Sequence, residues 1–235
     1  PLELRRNDDS KTEYDRFREA AKSGPPREEL VGLTLLDSGM RNTAMAHMVE
    51  SWTEWRGDKL IINIPPYERC EVGSSEKGKG GDRSESGEPC WYCAESRNSE
   101  GKDWLPPDHK LPDDGDCWHP KSRAGWEGRQ IPIKEEDTQQ IIESWFRVYD
   151  TVCSQDAVRT AVKRLAKRAG IFEPADKEGQ QDWPTPHDLR DTYGTQLALM
   201  GFNRDEIKAP MGHAGIEQAD SYIKLSGVES TPVFD

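Results

Sequence analysis

At 235 residues the chain is long enough to bury a substantial core, in one large domain or in one domain with a sizeable insertion, and we expect the second. No apolar run could span a bilayer and the polar N-terminus lacks the pattern of a secretory signal, so the sequence predicts a cytoplasmic protein with no membrane partner. The net charge of -12 argues against a nucleic-acid partner, because proteins that bind polyanions usually carry a basic excess.

Hydrophobic periodicity predicts several helices in the N-terminal quarter of the chain. An apolar stripe indicates an amphipathic helix over residues 12–22, and the segment 27–38 is apolar on most faces, as in a buried helix. Gly39 follows it at a position that lets the chain turn sharply. A further helical stretch is predicted over about residues 43–55.

Two strands are predicted in the middle of the chain, at residues 59–65 and 129–133, each bounded by turn residues. Residues 67–117 between them are rich in Gly, Ser, Pro and charge, and little there could pack a core. We therefore predict an insertion, flexible around residues 73–87.

The rest of the chain is predicted to be helical, over residues 135–150, 156–170, 187–200, 203–211 and 215–225. The second of these helices carries a basic cluster on its polar side: Arg159, Lys163, Arg164, Lys167 and Arg168. A charge run is usually a solvated helix face, but in so acidic a chain the cluster favours a DNA-binding surface.

Four short motifs occur in a particular order along the chain. They are Ser38-Gly39-Met40-Arg41, His187-Asp188-Leu189-Arg190, Met211-Gly212-His213, and Tyr222, nine residues after His213. This set resembles the tyrosine recombinase (phage integrase) family, with its T-G-L-R element, its H-x-x-R and L-G-H boxes and its nucleophile at that offset. One such pattern would be weak evidence, whereas four in order are strong.

The resemblance covers about residues 12–225 apart from the insertion, and it implies a fold. The expected fold is the tyrosine recombinase catalytic domain, an α+β domain that is mainly α with a small antiparallel β-sheet. We expect it to span residues 1–235 and to carry the Cys-containing insertion at about 67–117. The family's usual N-terminal DNA-clamping domain is missing from the sequence, so we expect a fragment or a partner region outside it.

The resemblance also implies an activity, which is the cleavage and rejoining of double-stranded DNA through a 3′-phosphotyrosine, with no cofactor for catalysis. The expected assembly is a homo-oligomer, a tetramer on two duplexes. An acidic protein could bind DNA in this way if it came from a salt-adapted archaeon or its virus, because phosphate contacts in concentrated salt gain little from net positive charge. The alternatives are a catalytically inactive DNA-binding regulator, a type IB topoisomerase-like enzyme and a zinc-stabilised interaction module.

Six side chains match the family's catalytic positions: Arg41, Lys121, His187, Arg190, His213 and Tyr222. Arg41 and Arg190 would stabilise the charge that develops on the non-bridging phosphate oxygens, and His213 would add a donor. His187 and Arg190, three residues apart, are expected on one face of a helix. An acidic residue that the family often keeps after the first arginine is absent from residues 42–45.

The phenol of Tyr222 is the expected nucleophile, and His187 is suited to accept or relay its proton. The leaving 5′-oxygen needs a proton in return, which a lysine can supply as general acid. Lys121 matches the family's hairpin lysine, while Lys134 and Arg123 are nearby competitors for that position.

The insertion contains a C-x-x-C pair flanked by two single cysteines, and the four candidate ligands are Cys70, Cys90, Cys93 and Cys117. Four thiolates could hold a structural zinc ion and so order a segment that cannot fold alone. His109 or His119 could replace one of the outer cysteines, and four unconnected thiols are the alternative. Cys153 is predicted to be part of the core.

Overall fold

The computed structural model describes residues 1–4, 11–66, 68–70, 90, 93, 117–118, 120, 128–172, 183–213, 215 and 217–227. Within these residues the chain forms eight α-helices and two small antiparallel sheets. The predicted fold class, mainly α with a small antiparallel β-sheet, is therefore confirmed. The residues proposed at positions 109, 119, 121 and 123, and the stretch 73–87, lie outside the described residues. No helix in the described part of the chain is long and apolar enough to cross a membrane.

The two N-terminal helices form where the sequence predicts them. Helix α1, Glu13–Lys22, begins at Thr12, whose side chain forms a capping box with Asp15. Helix α2, Pro26–Ser38, is buried along most of its length and ends at Gly39, which has a left-handed φ of 57°. Helix α2 contacts α1 and three of the later helices, so it is the centre of the domain.

The next segment corrects the prediction of one helix over residues 43–55. Helix α3 covers only Asn42–His47, a 3-10 turn follows at Glu50–Trp52, and strand β1 occupies Thr53–Arg56. Strand β1 forms a hairpin with the next strand through a turn at Gly57, where φ is 66°. Pairing with a neighbouring strand outweighs a weak local helix preference here.

The main sheet has three antiparallel strands in the order β1-β2-β5. Strands β2, Lys59–Ile64, and β5, Arg129–Ile133, confirm both predicted strands. The chain that joins β2 to β5 contains two short strands, β3 (Glu68–Arg69) and β4 (Cys117–Trp118), which pair with each other. The ends of the insertion are thereby held together.

Five further helices complete the domain: α4 (Glu136–Phe146), α5 (Gln155–Ala169), α6 (Pro186–Leu199), α7 (Arg204–Met211) and α8 (Glu217–Ser226). Helix α4 ends earlier than predicted, and Val148 is exposed. Cys153 is completely buried, as predicted for a core residue. Helix α6 packs between α2 and α8, and α7 packs against α8 and strand β5. The predicted motifs therefore lie on neighbouring elements.

An ion-pair network connects α1, α2 and α4. Arg18 donates from Nη1 to Asp37 Oδ1 at 2.9 Å and also contacts Asp137 on α4. The Thr138 hydroxyl donates to the same Asp37 carboxylate. Arg18 and Asp37 are both nearly buried, so each needs the other to compensate for lost hydration.

Candidate active site

Three arginines from three different elements gather at one end of α6. Arg41 is the residue before α3, Arg129 begins β5, and Arg190 lies in α6. The Arg190 side chain is buried, with 2% exposure for the residue, and donates to the carbonyl of Gly39 at 2.5 Å and to that of Met211. Arg129 Nη1 donates to the same Met211 carbonyl at 2.9 Å.

These arginines lie close enough to perturb one another. Burial first, and then the charges of Arg41 and Arg129, lower the pKa of Arg190 to about 9. Burial and Arg41 lower the pKa of Arg129 to about 10, and burial lowers that of Arg41. All three stay protonated at pH 7, so the site concentrates positive charge in a poorly hydrated place. Such a site is suited to bind an anion.

His213 lies beside the arginines, just after α7, and is 4% exposed. Burial, followed by the charges of Arg190, Arg41 and Arg129, lowers its pKa to about 3. The imidazole is therefore neutral at pH 7. Its Nδ1 atom has no hydrogen-bond partner among the residues that the structure describes. A neutral ring with a free nitrogen can offer one hydrogen bond to an incoming group.

Tyr222 lies on α8 with its ring stacked on His213, at 5.7 Å between ring centroids. The residue is 5% exposed, and the ring packs so closely on Gly194 of α6 that a Cβ there would lie 2.7 Å from two ring carbons. Its hydroxyl donates to Asp191 Oδ1 at 2.9 Å. Burial first, and then Asp191, raise the pKa of Tyr222 above its usual range, while Arg190 and Arg41 oppose this.

The first two turns of α6 carry two of the predicted residues and one that the prediction missed. Thr185 caps the helix in a capping box with Asp188. His187 projects outward, with a side chain 77% exposed, and its Nε2 lies 3.9 Å from Asp191 Oδ2. His187 is therefore exposed to solvent, whereas Arg190, three residues later in the same helix, is buried. Asp191 lies between His187 and Tyr222, and its position directly after the H-x-x-R box is the signal that could have identified it.

The general acid is the least defined of the six predicted groups. Lys121 and its competitor Arg123 lie outside the described residues. The other competitor, Lys134, lies with its Nζ 5.3 Å from the centroid of the Phe202 ring. The assignment of Lys121 stays a prediction.

The five basic residues predicted to bind DNA all lie on α5: Arg159, Lys163, Arg164, Lys167 and Arg168. Arg168 pairs with the nearly buried Glu28 of α2 at 2.8 Å, and Arg164 lies 3.5 Å from the same carboxylate. Lys167 lies over the Trp183 ring at 5.2 Å, and Arg159 pairs with Asp156 on α5 itself. Part of this charge therefore stabilises the fold, and DNA binding by α5 stays a prediction.

Three of the four predicted metal ligands come together. Cys70, Cys90 and Cys93 lie with His47 in a cluster whose ligand atoms are all within 4.8 Å of one another. The side chain of the fourth predicted ligand, Cys117, is outside the described part of the chain. His47 was not predicted, because it lies on α3 and not in the insertion.

The described residues thus form a helical domain with a small sheet, in which a tyrosine and a histidine lie beside buried arginines. Residues 130–227 match the model of the phage integrase family, from within β5 through α8. The resemblance that the motifs indicate is thereby confirmed for this segment, which contains His187, Arg190, His213 and Tyr222. No curated protein sequence matches the chain.

Solved structures support the same fold. The XerA recombinase is 18% identical with a TM-score of 0.55, over 100% of this chain and 65% of that protein. The XerH site-specific recombinase bound to its difH substrate is 14% identical with a TM-score of 0.55, over 95% of this chain and 50% of XerH. The Tn1549 transposon integrase with transposon right end DNA is 15% identical with a TM-score of 0.52, over 88% and 58%. The chain thus spans between half and two thirds of their lengths.

Proposed function

We propose that the chain catalyses site-specific recombination of double-stranded DNA, with Tyr222 as the nucleophile. The observation that carries this proposal is the convergence of three arginines with His213 and Tyr222 at one place, from elements far apart in the sequence. Fixed guanidiniums can meet the charge that builds on the non-bridging oxygens of a phosphate under attack. Arg129 joins Arg41 and Arg190 in this role.

The proposed reaction exchanges one phosphoester bond for another. The Tyr222 oxygen attacks the phosphorus, the bond from phosphorus to the 5′-oxygen breaks, and a 3′-phosphotyrosine forms. The phenol proton passes to Asp191, which already accepts its hydrogen bond, and from there toward His187. The 5′-oxygen takes a proton from a general acid, for which Lys121 is the candidate. A second DNA 5′-hydroxyl reverses these steps, so the scheme requires neither ATP nor a cofactor.

The Tyr222–Asp191 hydrogen bond defines a resting arrangement in this proposal. The carboxylate holds the phenol in its protonated form, and a bound DNA phosphate would compete with it for the tyrosine side chain. Binding of the phosphate among the arginines would also reduce the positive field around His213. The nucleophile would thus become reactive only when the substrate is in place.

Double-stranded DNA is the proposed partner, and a homotetramer on two duplexes is the proposed assembly. The Tn1549 integrase structure is a complex with transposon right end DNA, and the XerH structure holds its difH substrate. In this acidic chain the positive charge of the site is local and buried, which favours contact with one scissile phosphate over general attraction to DNA.

Covalent trapping tests the proposal. The chain is incubated in low and high salt with a pool of nicked duplexes of randomised sequence. The short fragment between the nick and a nearby cleavage site dissociates after cleavage, so the strand cannot be rejoined. Covalent protein–DNA adducts are then detected on denaturing gels. We expect an adduct with the wild-type chain and with Tyr149→Phe, a control at an exposed tyrosine, but not with Tyr222→Phe. DNA binding without an adduct would instead favour a regulator, and relaxation of supercoiled DNA at any sequence would favour a topoisomerase.

A further inference from the structure

The insertion and helix α3 meet in a cluster of one histidine and three cysteines, residue types that can ligate a metal. His47 Nε2 lies 3.4 Å from the sulfur of Cys90 and 3.4 Å from that of Cys93. The backbone N–H of Cys90 donates to the sulfur of Cys70 at 3.2 Å. A tetrahedral zinc ion, with bonds of about 2.3 Å to sulfur and about 2.0 Å to nitrogen, needs ligand atoms roughly 3.5–3.8 Å apart. The two distances from His47 to sulfur are thus already close to the required spacing, and all four ligand atoms lie within 4.8 Å of one another.

We propose that His47, Cys70, Cys90 and Cys93 bind one structural zinc ion, which fastens the insertion to the helix that follows Arg41. The site is distinct from the catalytic groups, and the proposal does not depend on the DNA chemistry. Three sulfurs and one imidazole nitrogen are a donor set that selects zinc over magnesium or calcium. Four protein ligands complete a tetrahedron, so the ion would be structural and would have no open position for a substrate.

The orientation of His47 supports this assignment. Its Nδ1 lies 2.7 Å from the carbonyl oxygen of Thr43, one turn earlier in α3, so Nδ1 carries the proton and donates. The lone pair of Nε2 is then directed at the sulfurs. A hydrogen bond from the second ring nitrogen to a carbonyl is the usual support for a histidine that ligates a metal.

The surroundings of the cluster are closed and aromatic. Cys70 and Cys93 are buried, and the His47 ring stacks on Trp118 at 5.8 Å, which in turn packs on Trp52 at 5.1 Å. No disulfide joins Cys70, Cys90 and Cys93. A disulfide between two of them would leave the third sulfur and the Nε2 lone pair buried without a partner, which costs free energy that a metal bond would offset.

The position of His47 gives the proposed ion a mechanical role. Helix α3 is only six residues long, with Arg41 immediately before it and His47 at its end. So short a helix is not stable alone. A metal bond at its last residue would fix the helix against the insertion and thereby help to fix the backbone at Arg41.

Metal analysis of the purified chain, grown with zinc, tests the proposal. We expect about one zinc ion per chain in the wild type. We expect the content to fall at least about tenfold in Cys90→Ser and in His47→Gln. Two variants serve as matched controls, Cys153→Ala at a buried cysteine outside the cluster and Cys117→Ser at the competing ligand position, and both should keep their zinc.

Spectroscopy on the unmodified protein covers the case in which a variant does not fold. X-ray absorption at the zinc edge should fit three sulfur ligands and one nitrogen ligand, and cobalt substitution should give the visible bands of a tetrahedral site. A fit of four sulfurs, or loss of zinc in Cys117→Ser with retention in His47→Gln, would overturn the assignment of His47. Folded wild-type protein that binds neither metal would overturn the site altogether.

Discussion

His213 makes the stability of the folded chain sensitive to acid. Burial and three neighbouring arginines lower its pKa to about 3, whereas its ordinary value is 6.5. Below pH 6.5 the unfolded chain therefore takes up a proton that the folded chain does not. The contribution of this group to stability is complete above pH 6.5 and is lost as the pH falls toward 3.

The size of the effect follows from the width of that window. Each pH unit in which only the unfolded chain is protonated costs about 1.4 kcal/mol. Lowering the pH from 7 to about 4.5 crosses roughly two such units below 6.5, so His213 alone should reduce the free energy of unfolding by up to about 3 kcal/mol. This is a large part of the stability of an ordinary domain.

Urea unfolding at pH 7 and at about pH 4.5 measures this loss in the wild type and in His213→Gln. Other groups also titrate in this range, so the quantity of interest is the difference between the two losses, which should be about 2–3 kcal/mol. Tyr222→Phe keeps the ring that stacks on the imidazole, and it should behave as the wild type does. Equal losses in wild type and His213→Gln would refute the argument, because the histidine would then be protonated in the fold.

Three further predictions concern neighbouring groups. Burial keeps the pKa of Tyr222 high, but Asp191→Asn removes the carboxylate charge that also raises it, so NMR of the labelled phenol should show ionisation at lower pH; an unchanged titration would contradict this effect of Asp191. Arg18→Ala strands the buried Asp37 charge and should cost about 3–5 kcal/mol in urea unfolding, and a loss well below that range would contradict the pairing. Gly194→Ala overpacks the Tyr222 ring and should cost about 1–3 kcal/mol, a penalty that should vanish in a Tyr222→Ala background.

Much of the fold can be predicted from the sequence, because local patterns determine it. The apolar segment of α2 and the glycine after it predict both the buried helix and its end, and the strands β2 and β5 follow from composition and flanking turns. The end of α3 could not be predicted in this way. Residues Thr53–Arg56 become a strand only because β2 lies beside them, and that partner is not visible within a local window.

The candidate site, too, could be predicted only in part. Arg190, His213 and Tyr222 fall in short motifs, and the structure brings them together. Arg129 and His47 carry no motif of their own: each contributes through a distant element, Arg129 from a strand that reaches the end of α7 and His47 from a helix before the insertion. Long-range contacts of this kind depend on the whole topology, so spacing in the sequence does not reveal them.

The carbonyl of Met211 accepts hydrogen bonds from both Arg129 and Arg190. The next residue, Gly212, has a left-handed φ of 60°, and a side chain there would overlap Arg129. One oxygen atom thus serves as the common fixing point for two cations that come from different elements. A shift of the turn after α7 would break both of these hydrogen bonds at once, and Arg190 would then be held by the Gly39 carbonyl alone. The positions of the two cations are therefore coupled through this turn.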